Sequence, residues 1–237
     1  PRKKKGLPKS FRGWFFYLLH FIGIYGQGGK NCHGYSTEDG VNVPVYDVEA
    51  LKNYASAFEP GEEVIVTEKI HGSNARYMYL DGHMYAGSRT QWKSDTSPCI
   101  WRAALIHNPW IEEWCKANQG YTLYGEVTPT QGEKWQYGSK DPQFFAFDIY
   151  DPDGNWHSVF EDSTLVLGIG NIAPFVYRGY FDLDVIKRYV DGPSTVENGP
   201  SYREGVVVAP IVERHVRGLG RLKLKMVSSE FLLKDSK

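Results

Sequence analysis

The chain has 237 residues, 41% of them hydrophobic and 15% aromatic, enough for one large domain or one domain with a small appendage. Charged residues make up 23% and the formal net charge is −1, which excludes a disordered chain and a global polycation; a nucleic-acid partner would have to be held by local basic patches. Three cysteines, Cys32, Cys99 and Cys115, show no paired spacing, which argues against a disulfide scaffold and a zinc site and suits a reducing, cytoplasmic setting.

At the N-terminus, Arg2-Lys3-Lys4-Lys5 followed by the apolar run from Trp14 to Leu19 imitates a secretion signal. His20 interrupts the run, no small-x-small cleavage site follows, and the stretch is too short to span a bilayer, so neither secretion nor a membrane partner is expected. Residues 1–44 read as an appendage or the remnant of a preceding domain, and 45–237 as the main domain. Asp47 is placed to cap a helix with Val48, Leu51, Tyr54, Ala55 and Phe58 on its apolar face, ended by Glu59-Pro60-Gly61. Val64, Ile65, Val66 and Ile70 then fill both faces of a pleat, as in a strand buried on both sides, and this strand carries Lys69. Strands 75–80 and 83–88 are joined by the two-residue turn Asp81-Gly82, with Arg89 where the second ends. Asn108-Pro109 opens a helix with Trp110, Ile111, Trp114 and Cys115, which Gly120 stops. Strands 121–127 and 144–150, a helix over 182–190, and strands 205–209 and 222–227 complete the series. Strands dominate without regular βαβ alternation, which predicts an α+β fold built on antiparallel sheets with flanking helices.

Several polar residues sit where such strands have little use for them. A desolvated lysine such as Lys69 loses its preference for the charged form, which is how an amine becomes a nucleophile near neutral pH. Lys223 and Lys225 alternate with leucines, so both point one way with Cα atoms roughly 6.5 Å apart, close enough to meet one polyphosphate. Taken alone the pair fits an amphipathic edge strand guarded by lysines. Phe145, Phe147 and Ile149 are expected on one face and Asp148 on the other, either as a solvated acid or as part of a site. Glu126 follows Gly125, and Glu204 precedes Gly205, each placing a carboxylate beside bare backbone. Together, a desolvated lysine, further cations and three or four carboxylates are what nucleotidyl transfer from a triphosphate requires: an amine to attack phosphorus, cations for the developing charge, and carboxylates for hydrated Mg²⁺. An aromatic face such as Phe147 suits stacking on a purine. No Gly-x-x-x-x-Gly-Lys loop is present.

In order along the chain, Glu68-Lys69-Ile70-His71-Gly72-Ser73-Asn74, Ala86-Gly87-Ser88-Arg89-Thr90, Tyr124-Gly125-Glu126, Phe145-Ala146-Phe147-Asp148, Glu204-Gly205-Val206-Val207-Val208 and Leu222-Lys223-Leu224-Lys225 resemble the motifs of the covalent nucleotidyltransferases. Within them the pattern is similar to ATP-dependent RNA ligases of the phage T4 RNA ligase 2 type, since histidine stands at 71 where DNA ligases and capping enzymes usually carry aspartate. The resemblance implies an adenylation domain that uses ATP with Mg²⁺ or Mn²⁺ to join 5′-phosphate and 3′-hydroxyl RNA ends, on a nicked duplex or single strands. Lys69 would carry AMP, with His71, Lys223 and Lys225 catalytic. Glu68, Ile70, Asn74, Arg89, Glu126, Phe147, Glu204, Lys223 and Lys225 would bind the nucleotide, and Asn74, Glu126, Asp148 and Glu204 the metal. For His71 the plainer reading is a hydrogen-bonded core histidine. Glu68 stands on the opposite side of an ideal pleat from Lys69, so the strand would have to twist or end there. The chain departs from the pattern at Ala209, where a lysine is expected; Arg203 or Arg214 would have to replace that cation. Alternative readings are a DNA ligase, a capping-type enzyme, or a non-catalytic nucleic-acid-binding module using Arg214, Arg217, Arg221, Lys223 and Lys225.

Overall fold

The structure, a computed structural model, describes residues 34–35, 41–96, 98–129, 135–160 and 163–235. The basic cluster 2–5, the apolar run 14–19 and Cys32 lie outside the described residues. Two sheets form the frame, with helices on their outer sides, so the expected α+β plan holds.

The first sheet has seven strands in the order β1 (Gly34–Tyr35), β6 (Trp92–Lys93), β5 (His83–Ser88), β4 (Ser73–Leu80), β7 (Thr122–Thr128), β8 (Gln143–Tyr150) and β9 (Trp156–Ser158), all neighbours antiparallel. The hairpin β4–β5 forms as its turn residues dictate: Asp81 and Gly82 take φ of 50° and 80°, the left-handed pair that a two-residue turn needs. Ala75, Tyr77, Leu123, Phe144 and Ile149 face the helices Ile100–His107 and Trp110–Ala117 and are sealed from solvent, each large apolar side chain contributing about 1.5–3 kcal/mol. The free thiol of Cys115 belongs to this core, and Cys99 is likewise buried.

The second sheet runs β10 (Phe175–Tyr180), β3 (Glu63–Glu68), β11 (Gly205–Pro210), β14 (Leu224–Val227) and β2 (Glu49–Ala50), antiparallel except for the β14–β2 pair; β12 (His215–Val216) and β13 (Gly220–Arg221) form a separate antiparallel ribbon. Val64, Val66, Val206, Val208 and Leu224 pack against the helix Leu183–Val190 and against Leu51 and Phe58. That helix starts as expected, with the Asp182 carboxylate accepting from the N–H groups of Asp184 and Val185.

Three local expectations change. Asp47 caps no helix: pairing of Glu49 and Ala50 with β14 keeps the chain extended, and helix begins only at Leu51 and lasts to Tyr54. β3 is not buried on both sides; Val64 and Val66 enter the core, while Ile65 and Thr67 look into a cavity between the sheets, and the strand stops at Glu68. The third change is a bulge. Tyr124 pairs with Asp148 and Gly125 with Ala146, leaving Phe147 as the extra residue of β8. Alternation therefore breaks: Ile149 joins Phe144 and Ala146 on the helix side, and Asp148 follows Phe147 onto the other.

Candidate active site

β3 lies in one sheet and β4 in the other, and the four residues Lys69-Ile70-His71-Gly72 carry the chain across. The Lys69 N–H still donates to the Gly205 carbonyl at 2.9 Å, which fixes the lysine at the end of the ladder. Gly72 is required by close approach, since a Cβ there would lie 2.3 Å from the Val127 carbonyl oxygen. The cavity between the sheets is lined from the first sheet by Asn74, Glu126 and Phe147, and from the second by Thr67, Val207, Ala209 and Lys225. Glu68, Lys69, Ile70, Arg89 and Lys223 complete the predicted residues that line it. His71, Asp148 and Glu204 do not line it; Glu204 and Asp148 bond Lys69 and Lys223, which do, and His71 contacts Glu204.

Glu204 clamps the nucleophile candidate. One carboxylate oxygen lies 2.5 Å from Lys69 Nζ and the other 3.2 Å from His71 Nδ1. Burial alone would raise its pKa, but the His71 and Lys69 contacts outweigh this and hold the carboxyl below its ordinary range, so it stays charged. The His71 N–H donates to the Tyr137 hydroxyl at 2.9 Å, and its ring packs on Trp135 and Phe231. His71 is thus both a well-held histidine and the far end of a Lys69–Glu204–His71 chain.

Asp148, expected beside a metal, is fully buried and its oxygens are taken. Lys223 Nζ stands 2.6 Å away, Arg221 donates at 3.1 and 3.3 Å, and the Tyr46 hydroxyl donates at 2.5 Å. Arg221 also makes a two-pronged pair with Glu213 and lies 4.1 Å over the Trp156 ring. Burial opposes ionisation of Asp148, yet Lys223 and Arg221 together keep its pKa below the usual value.

Among the described residues no group of three or more His, Cys, Asp or Glu side chains is arranged to hold a metal. The donors present nonetheless fit a hard, hydrated cation. Asn74 and Glu126 are register partners on β4 and β7, both line the cavity, and Asn74 Oδ1 is buried without a hydrogen-bond partner. Glu68 is bound through one oxygen by the N–H and hydroxyl of Thr195, at 2.7 and 2.8 Å, and its other oxygen is buried without a partner.

The replacements expected for the cation missing at Ala209 do not reach the cavity. Arg203 bonds the carbonyls of Pro193 and Tyr189, and Arg214 is held by Glu62 and the Ala57 carbonyl. The basic stretch that suited a simple binding module is dismantled in the same way, because Arg214 and Arg221 are neutralised internally. Arg89 lines the cavity and pairs at 3.1 Å with Asp47, another lining residue. Sequence reasoning missed Tyr46, Glu213, Tyr137 and Thr195. None stands in a recognisable motif; only the pairing of sheets reveals them.

Two largely antiparallel sheets facing across a lysine-bearing cleft make this a nucleotidyltransferase fold. The profile of the RNA ligase family matches residues 62–226, more than half of the chain, and the chain belongs to that family. Solved structures with the same fold include a Naegleria gruberi RNA ligase in its apo form, 24% identical with a TM-score of 0.69 over 87% of this chain and 60% of that one. A variant of the Naegleria gruberi RNA ligase with ATP and Mn matches at 24% identity and TM-score 0.69, over 88% and 62%. Another, with AMP and Mn, matches at 23% and 0.68, over 86% and 62%. The chain thus spans about three-fifths of the length of these relatives. No curated protein sequence gives a significant match. No helix among the described residues is long and apolar enough to cross a membrane.

Proposed function

We propose that the chain is the catalytic part of an ATP-dependent RNA ligase that joins 5′-phosphate and 3′-hydroxyl RNA ends. The observation that carries this reading is the placing of Lys69 Nζ against Glu204 at the mouth of a cavity that also collects Arg89, Lys223 and Lys225. A nucleophilic amine, a charged acceptor beside it and three cations facing one cavity suit a triphosphate. Phe147 and Val207, from opposite sheets, form apolar walls for a purine.

The steps balance as follows. Lys69, relieved of its proton, attacks the α-phosphorus of ATP; a P–N bond forms and pyrophosphate leaves. An oxygen of the RNA 5′-phosphate then attacks the same phosphorus, breaking the P–N bond and freeing Lys69 as the RNA-adenylate forms. The 3′-hydroxyl attacks the RNA 5′-phosphorus and AMP leaves. Glu204 is the acceptor nearest the Lys69 proton, and its second contact with His71 offers that proton an onward partner. Mg²⁺ or Mn²⁺, when bound, would neutralise phosphate charge; Asn74 and Glu126 would hold it, largely through water. RNA is chosen over DNA through contacts to the 2′-hydroxyl.

The test is incubation with ATP labelled at the α-phosphate and Mg²⁺ or Mn²⁺, resolved on a denaturing gel. A labelled protein band that vanishes in Lys69→Ala is the expected result. Nicked duplexes with RNA or DNA at the 3′ end then separate RNA from DNA sealing, and labelled GTP tests the capping alternative. No band with either metal, from folded protein shown to be free of pre-bound AMP, removes the ligase reading.

A further inference from the structure

The segment 41–48 precedes the stretch that matches the family, yet its residues Tyr46, Asp47 and Val48 line the cavity. It is fastened across the first sheet by side chains of that sheet. Trp92 Nε1 donates to the Val41 carbonyl at 3.0 Å and the Tyr124 hydroxyl to the Pro44 carbonyl at 2.7 Å. This brings Tyr46, 9% exposed, between two groups with separate tasks. Its ring packs on Phe147 with centroids 4.6 Å apart. Its hydroxyl donates to Asp148 Oδ2, the same oxygen that accepts from Lys223 at 2.6 Å.

We propose that Tyr46 is a positioning residue for nucleotide transfer, its ring steadying the base platform Phe147 and its hydroxyl orienting the Asp148–Lys223 pair toward the phosphates. The inference rests on the ligase reading above and adds a residue to it that the family match does not contain. Physically the two halves of the side chain are separable. Phe147 is the unpaired residue of a bulge, lacking a cross-strand partner on β7, so packing against Tyr46 limits its rotation. Asp148 Oδ2 takes three donors, and loss of the hydroxyl leaves Lys223 and Arg221 to share it, shifting Lys223 relative to the cavity. A ring acting on the base changes binding of ATP. A hydroxyl acting through Lys223 changes the step in which phosphate charge develops.

The experiment measures single-turnover formation of the labelled protein adduct over a range of ATP for wild type, Tyr46→Phe and Tyr46→Leu. Tyr46→Phe is expected to lower the maximal rate about tenfold, the worth of a hydrogen bond to a charged group, with half-saturating ATP within about twofold of wild type. Tyr46→Leu is expected to keep that loss and also to raise half-saturating ATP about tenfold. Tyr46→Phe with an unchanged maximal rate, or both variants altering rate and half-saturation in equal proportion, overturns the positioning role while the ligase reading stands. A wild-type protein that forms no adduct overturns the ligase reading itself, and this inference with it. Tyr46→Phe preserves the packing of the ring, so its result stands even where the leucine variant folds poorly.

Discussion

Asp148 is a carboxylate with no solvent exposure and three hydrogen-bonding partners, two of them cations. Removing its charge strands Lys223 in the interior and leaves Arg221 with Glu213 as its one remaining carboxylate partner. Asp148→Asn is therefore expected to cost roughly 3–5 kcal/mol in urea unfolding, far more than loss of an exposed pair such as Arg89–Asp47. The pH dependence has a definite sign. Because the folded-state pKa lies below the unfolded value, the stabilisation is complete above the ordinary carboxylate range. It is lost as the pH falls below that range, through the depressed pKa. Urea midpoints measured from neutral to acid pH should fall more steeply for wild type than for Asp148→Asn in that window; parallel curves would dissociate Asp148 from acid sensitivity.

At the scale of elements, the bulge between β7 and β8 decides where the chemistry sits. Gly125 permits it: a Cβ there would come within 2.2 Å of the Phe144 ring and 2.3 Å of the Phe145 carbonyl oxygen. Gly125→Ala should destabilise by about 1–3 kcal/mol through overpacking and slow adduct formation as Phe147 is displaced, whereas Asp182→Ala, a distant helix cap, should cost about 1 kcal/mol and leave adduct formation unchanged. Equal loss of activity in both would sever the bulge from the site. The hairpin at Asp81-Gly82 and the start of a helix near Asp182 were legible in the sequence because both are set by local devices, complete within four residues. Phe147 and Lys223 were legible as cavity residues through motif resemblance. The side on which Asp148 lies was not, since a bulge is set by the partner strand and strict alternation gives the opposite answer. Helix Ile100–His107 and strand β10 escaped for a related reason: their apolar residues, such as Ala103, Ala104 and Val176, gain meaning only from what they pack on.

At the scale of the whole molecule, the cavity is a property of two sheets and of neither alone. A ligand that touches Phe147 on one and Val207 and Lys225 on the other ties them together. Binding only to the folded arrangement, ATP at 100 times its dissociation constant should stabilise Lys69→Ala by about 2.7 kcal/mol, read as a rise in the thermal midpoint. This variant is chosen because it keeps the other cavity residues and does not consume the nucleotide. An unchanged midpoint at saturating ATP and metal would mean that the cleft does not hold a triphosphate.

The two sheets also differ in how far they reach along the chain. β4, β5, β7, β8 and β9 stand in nearly sequential order, whereas the second sheet places β3 beside β10 and β11, and β14 beside β2. Synthesis delivers residues from the N-terminus onward, so the first sheet can assemble while the second still lacks most of its strands. Lys69 emerges early, but Glu204, Lys223 and Lys225 arrive only with β11 and β14. Until those strands arrive, Lys69 lacks the Glu204 carboxylate that it pairs with and the two lysines that line the same cavity. The charged groups around Lys69 therefore come together only when β11 and β14 join β3, which makes completion of this centre a later event than assembly of the first sheet.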